Sequence, residues 1–317
     1  MNITAAISRR EFLQATAVSA GLAALGQTAF AAPPAGIGFG FSLYGMRSLK
    51  VAEALKACAD IGYSGVELAC LKDWPCDAAA LTKADRVAIR SQLNDLALDL
   101  PCLMENLGLV VPAAQHQTNL ERLKAACELA HGLAPDEPPL IETVLGGKPA
   151  EWEQLRDKMV VALKDWERVA LAHKTVIAIK AHISGALHTP RDAQWLVRQI
   201  NSPWIRLVFD YSHFQRQQLN LADSLSAMIG ETVFVHIKDN ITTTDGKTEF
   251  ALPGDARDID YAEYLTLLKA GGYRGSVVVE VSAQVFNKPG YDPLAAAKRS
   301  YTNIHPAFIK AGLRAEA

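Results

Sequence analysis

The chain has 317 residues, half of them apolar, with 21% charged residues and a formal net charge of −2. That composition supplies a large core and belongs to a soluble globular protein. Without a Lys/Arg run or a basic excess, it excludes a dedicated nucleic-acid binder, which needs a concentrated basic face.

The first 31 residues read differently from the rest. "SRREFLQ" (Ser8 to Gln14) is a charged start with paired arginines, Arg9 and Arg10. An Ala/Gly-rich stretch follows and ends in "AFA" (Ala29 to Ala31). Charged start, weakly apolar middle and small-x-small end make an export signal, and the arginine pair resembles the twin-arginine type. The stretch is too short and too Ala-rich for a comfortable membrane span. The expectation is a leader over 1–31, a working domain over 32–317, a periplasmic or otherwise exported location, and no stable membrane insertion once the leader is removed.

Beyond the leader one rhythm repeats. Short apolar runs stand at 37–43, 65–69, 100–106, 139–145, 176–182, 204–210, 232–239 and 276–282. Amphipathic helical patterns fill the gaps, clearest at 51–62, 119–133 and 151–173, with apolar residues three and four apart. Gly62 and Gly132 stand where such helices should stop. Eight strand–helix units in one chain predict a single-domain (β/α)₈ barrel, which typically needs about 250 residues. An open doubly wound sheet would carry a Gly-rich phosphate turn after its first strand, and "FSLYGMRSLK" is not one. Residues 111–117 and 238–258 read as long loops. Of the five cysteines, Cys58 and Cys127 lie in apolar helical patterns, and Cys70 and Cys76 are the pair an oxidising compartment could join.

In a parallel barrel, alternate residues of each strand face the helices and the interior. Active sites sit at the strands' C-terminal ends. With Ile177 and Ile179 against helices, Ala178, Lys180 and His182 face inward. The same parity turns Val208 and Asp210, then His236 and Lys238, then Glu280 inward, and Glu67 and Glu142 join from earlier strands. Two carboxylates and an imidazole converging on one mouth suit a divalent ion: manganese, cobalt, zinc or magnesium.

Five segments carry a resemblance: "GYSGVELA", "FDYSHF", "VFVHIKDN", "PGDARDIDY" and "GGYRGSVVVEVS". Together they resemble the xylose-isomerase-like TIM-barrel superfamily, within it sugar-phosphate isomerases/epimerases and ketose 3-epimerases. The resemblance implies one divalent metal held by a Glu, an Asp, a His and a Glu at strand ends. Asp210, His236 and Glu280 match the last three. It also implies that His213 contacts substrate and that Arg257 grips substrate hydroxyls. The chain departs from the pattern where Lys180 occupies the place of the first glutamate, and where Ala256 replaces a loop glycine.

That lysine turns a net negative metal site into a net positive one, at a cost on the order of several kcal/mol at an effective dielectric of about 20. Either Lys180 loses its proton beside a retained metal, or the metal is gone and Lys180 pairs with Asp210 or Glu280. The reading adopts the retained metal, with His182 as a substitute ligand.

The resulting expectation is an exported, metal-dependent sugar isomerase or epimerase working by proton abstraction beside a carbonyl. Lys180, His182 and Glu142 would be catalytic. His213, Arg257, Glu67 and Lys238 would contact a small carbohydrate, and Asp210, His236 and Glu280 would hold the metal. A lyase or hydratase on keto-sugars or keto-glycosides needs only one base and is the related alternative. A non-catalytic sugar-binding barrel is the alternative from another class. The abasic-site endonuclease branch needs a multi-zinc cluster and a basic groove, and neither is evident. A homo-oligomer is compatible with the sequence and not specified by it.

Overall fold

A computed structural model describes residues 36–314, so the expected leader over 1–31 lies outside the described residues. Eight parallel strands close into a barrel. They are β1 (Gly38–Ser42), β2 (Gly65–Ala69), β3 (Asp99–Met104), β4 (Leu140–Val144), β5 (Ile177–Lys180), β6 (Ile205–Asp210), β7 (Thr232–Ile237) and the last strand (Ser276–Val279). Each pairs with its sequence neighbour, and the last strand closes the ring between β7 and β1. Because two small residues, Gly40 and Gly65, pair across β1 and β2, these strands approach closely: a Cβ on Gly40 would stand 2.9 Å from the Gly65 carbonyl oxygen.

The predicted parity is the observed one. Ile177, Ile179, Leu207, Phe209, Val235, Ile237, Val279 and Val281 belong to the large core between strands and helices. Cys102, Ala178, Val208, Phe234 and Val278 form a separate apolar plug. The barrel is therefore filled, and its polar inward residues sit one layer higher, at the C-terminal ends. Phe234 is the largest member of the plug, and its ring meets that of His236 edge-on at 5.0 Å. Replacing Phe234 by Ala is expected to cost about 3–5 kcal/mol in urea unfolding. A loss under about 1 kcal/mol would mean the plug collapses freely around the gap.

Three local expectations are corrected. Residues 113–117 are not loop but the first turns of the helix Ala113–Leu133, because the Pro112 carbonyl accepts the His116 N–H and starts the helical ladder. Gly132 is the penultimate residue of that helix, which ends at Leu133, one residue past the expected stop; a Cβ there would come within 3.3 Å of the Arg86 side chain. The segment 238–258 folds its first half into an antiparallel hairpin of β8 (Asp239–Thr242) and β9 (Thr248–Ala251); the last barrel strand is accordingly β10. Asp239 ties down the second half, accepting hydrogen bonds from the Tyr261 hydroxyl (2.6 Å) and the Ala256 N–H (2.9 Å).

Gly62 does end its helix, Val51–Ile61, in the left-handed conformation (φ 109°) that glycine adopts without strain. All five cysteines are buried free thiols, Cys70 and Cys76 included. Among the described residues no helix is long and apolar enough to cross a membrane.

Candidate active site

The barrel's own closure assembles the site. Residues in the middle of β2 and β4 and at or next to the ends of β5, β6, β7 and β10 come together although they are far apart in the chain. Lys180, the last residue of β5, is at the centre. Its Nζ lies 3.0 Å from Glu280 Oε2, 3.0 Å from His236 Nδ1 and 3.5 Å from Glu142 Oε1. Lys238, one residue past β7, reaches Asp210 Oδ2 and, at 2.9 Å, Glu280 Oε2. His236 bonds through Nε2 to Glu67 Oε2 (3.0 Å), and its Nδ1 lies 3.2 Å from Glu280 Oε2. The other Asp210 oxygen accepts from the Ser212 N–H and, at 2.6 Å, from its hydroxyl. Every member of this cluster is buried.

Such burial penalises charge, so the pairing decides the protonation states. Burial raises the carboxyls of Glu67, Asp210 and Glu280, but the cations beside them prevail and hold all three below the usual range. Burial likewise disfavours the Lys180 ammonium. Glu142, Glu280, Asp210 and Glu67 outweigh it and keep its pKa well above that of an ordinary lysine. His236 is pulled down by burial and then lifted to about 9, chiefly by Glu67.

Glu142 behaves in the opposite sense. Burial raises it to about 7, and Lys180 and His236 offset only part of that. Its Oε2 has no hydrogen-bond partner among the described residues. A carboxyl that titrates near neutrality and holds an uncommitted oxygen is suited to carry a proton in a reaction.

The other expected site residues are placed differently. His182, two residues beyond β5, stands beside the cluster, near enough for Lys180, Lys238 and Glu280 to act on its charge. Its Nδ1 receives the Ser184 hydroxyl (2.7 Å), and its ring lies 4.1 Å from that of His213. It is absent from both His/acid groupings whose spacing could hold an ion, which are Glu67–Glu142–His236 and Asp210–His236–Glu280. His213 sits on the short helix Tyr211–Gln215, with Nε2 3.3 Å from Asp210 Oδ2 but unaligned for a hydrogen bond. Burial first, then His213 and the two lysines, push His182 down to about 2, and burial takes His213 to about 4 against the pull of Asp210. Both rings are therefore neutral at pH 7. Arg257 is exposed, has a left-handed backbone (φ 62°) and makes none of the cluster's bonds.

Sequence reasoning missed an aromatic wall. Tyr44 follows β1, stacks on Trp74 at 5.0 Å and meets Phe286 edge-on at 5.0 Å. Its hydroxyl lies close enough to the cluster that, after burial, Glu280 is the next cause raising its pKa. Only its position just after the first strand signals this. Phe250 of the hairpin was missed as well; its ring packs edge-on against His213 (5.1 Å) and under Lys238 Nζ (5.1 Å). A surface groove of about 530 Å³ lined by Leu109, His116, Asp157 and Val161 includes none of these residues.

Donor atoms of Asp210, His236 and Glu280 lie within 4.8 Å of one another, a spacing that could hold a metal ion. The chemistry inside the triangle does not match, because two ammonium groups already stand on those donors. A dication about 4 Å from an ammonium is repelled by roughly 8 kcal/mol at an effective dielectric of 20, twice the unit-charge value. As assembled, the residues do not fit a divalent ion unless both lysines leave.

A family model described as xylose isomerase-like TIM barrel matches residues 55–301. A Haemophilus influenzae protein with the provisional name L-ribulose-5-phosphate 3-epimerase SgbU is 21% identical over 229 residues, which is 68% of this chain and 78% of that protein. Among solved structures, the IOLI protein with a bound zinc atom superposes with a TM-score of 0.70 at 18% identity, covering 88% of this chain and 100% of that one. The 3-keto-D-glucoside 4-epimerase YcjR from E. coli gives a TM-score of 0.65 at 15% identity, over 85% and 99% of the two chains.

Proposed function

Because the chain belongs to the xylose isomerase-like TIM barrel family, we propose that it is an isomerase- or epimerase-like enzyme of small carbohydrates. In this reading it moves a proton at the carbon beside a carbonyl. The observation that carries the proposal is Glu142, a fully buried carboxyl with a pKa of about 7 and an unpartnered oxygen, set 3.5 Å from the Lys180 ammonium. Ionised Glu142 takes the proton. The negative charge that then develops on the carbonyl oxygen falls to a preorganised ammonium, the arrangement that stabilises such charge most. The Lys180–Glu142 contact is the longest of the three that Lys180 makes, so its donor is the one most readily given to a substrate oxygen. Neutral His182 and His213 offer hydrogen bonds to hydroxyls, and the Tyr44–Trp74 pair offers an apolar face for a sugar ring.

The test is solvent exchange. Incubated in D₂O with a panel of ketoses, their phosphates and keto-glycosides, the protein is expected to incorporate deuterium beside the carbonyl of one class, read by NMR. Absence of exchange in every class removes the reading. Glu142→Gln is expected to slow exchange by about 10²- to 10⁴-fold, the range for a lost general base, with the circular dichroism spectrum unchanged.

One observation favours a lyase or dehydratase as the second reading. Glu142 is the one cluster carboxyl whose pKa is raised, while Glu67, Asp210 and Glu280 are lowered. Epimerisation through two opposed bases needs two such groups, and elimination needs one. Product analysis separates them, since elimination yields an unsaturated or dehydrated product. A sugar-binding barrel without turnover predicts thermal stabilisation by ligand and no exchange. Export remains part of the proposal on the strength of Arg9 and Arg10 and the "AFA" end of the leader; N-terminal sequencing of protein recovered from a periplasmic fraction tests it.

A further inference from the structure

We infer that this barrel carries its own cation: the side-chain ammonium groups of Lys180 and Lys238 replace a resident divalent metal among Asp210, His236 and Glu280. The inference deepens the proton-transfer reading by naming what neutralises the site, and its own test does not depend on the substrate.

Three observations converge on it. Lys180, the last residue of β5, stands beside Asp210, His236 and Glu280, where it brings a positive charge and no carboxylate donor. That lysine does not swing out to solvent. It is 3% exposed and sits on both Glu280 Oε2 and His236 Nδ1, at 3.0 Å each. A second lysine, Lys238, 2% exposed, spans the two carboxylates, Asp210 and Glu280. The carboxylate electron pairs of Asp210 and Glu280 that a metal would use are therefore directed at N–H groups.

An ammonium differs from a dication in what it can do. It donates hydrogen bonds in fixed directions and carries a single charge, so it recognises one oxygen at a time. Two of the three Lys238 N–H groups are taken by Asp210 and Glu280, which leaves one for a substrate oxygen. A metal would instead chelate two adjacent oxygens. The site is accordingly expected to tolerate substrates in which the hydroxyl next to the carbonyl is blocked or missing.

The experiment uses the full chain purified without chelator. Elemental analysis is expected to find less than about a tenth of an equivalent of any divalent metal, since a structural or catalytic site that couples to folding retains close to one. Thermal melts with added Mn²⁺, Zn²⁺ or EDTA are expected to superimpose on the untreated one, because a ligand that binds only the folded state would raise the midpoint. The reverse variant, Lys180→Glu, adds a fourth ligand and third carboxylate to the set and is expected to take up close to one equivalent of Mn²⁺ or Zn²⁺ and to melt higher with it. Near-stoichiometric metal in the native protein, with a midpoint lowered by EDTA, overturns the inference. So does a folded Lys180→Glu that gains no metal, because lysine is then not what excludes it. If Lys180→Glu fails to fold, the native measurements decide alone. Failure of the proton-transfer reading would appear only in the exchange assay.

Discussion

Lys180→Met is expected to destabilise the protein by about 3–5 kcal/mol, the cost of removing one partner from a buried ionic cluster. Met matches the lysine stem in length, so the loss isolates the charge from the packing. Without the ammonium, Glu280 keeps only Lys238 and His236, and Glu142 loses its one hydrogen-bond donor among the described residues. For a domain of this size such a loss lowers the midpoint by roughly 10 °C. Exchange activity should fall by about 10²- to 10³-fold, as when a single oxyanion donor is removed. Pairing the change with Glu280→Gln tests the mechanism of the loss. Because Lys180 and Glu280 are in direct contact, the double variant is expected to lose less than the two singles combined, by about 0.5–3 kcal/mol. Simple additivity, together with a Lys180→Met loss under about 1 kcal/mol, would mean the cluster is solvated and the charges independent.

Stability should also fall as pH rises from about 5 to 7, and Glu142 is the reason. Its folded pKa, about 7, is above the ordinary value of 4.5. Folding therefore favours the protonated form, and the penalty for ionising the buried group grows between those two values and then levels off. At about 1.4 kcal/mol per pKa unit, that is on the order of 3 kcal/mol. His236 acts in the same sense at higher pH. Its pKa is raised to about 9, so the stability its cation contributes is complete below 6.5 and disappears as pH climbs through 9. Urea unfolding at pH 5, 7 and 9 measures both. In Glu142→Gln the step between pH 5 and 7 should vanish while the decline toward pH 9 persists. A flat profile in the native protein would show that Glu142 ionises without penalty and is no buried proton carrier.

Period-two alternation makes much of this site legible in the sequence. The apolar partners of Lys180, Asp210, His236 and Glu280 in their own strands identify the inward side, and the observed split between the outer core and the inner plug follows the same parity. Glu67 and Glu142 were found by the same rule. Residues two or more positions past the strand ends were not, because alternation fades once the strand has ended. His182 lies two residues past β5 and is turned by Ser184 toward His213. Arg257 belongs to a turn whose left-handed backbone no pattern in the sequence announces. The hairpin within 238–258 is hidden from the sequence pattern because its strands are short and polar, with none of the apolar alternation that marks the others.

The sequence by itself determined that this chain is an eightfold barrel with acids, a histidine and lysines facing its mouth. Side-chain parity and apolar periodicity are local properties, written in residues a few positions apart. Only the tertiary structure decided which charge meets which. Lys180 settles between Glu280 and His236, and Lys238 between Asp210 and Glu280, because closing β10 against β7 and β1 brings together strand ends that no local rule relates. Whether a lysine sits beside a metal or in its place is a matter of a few ångströms across that ring, and those distances are set by barrel closure.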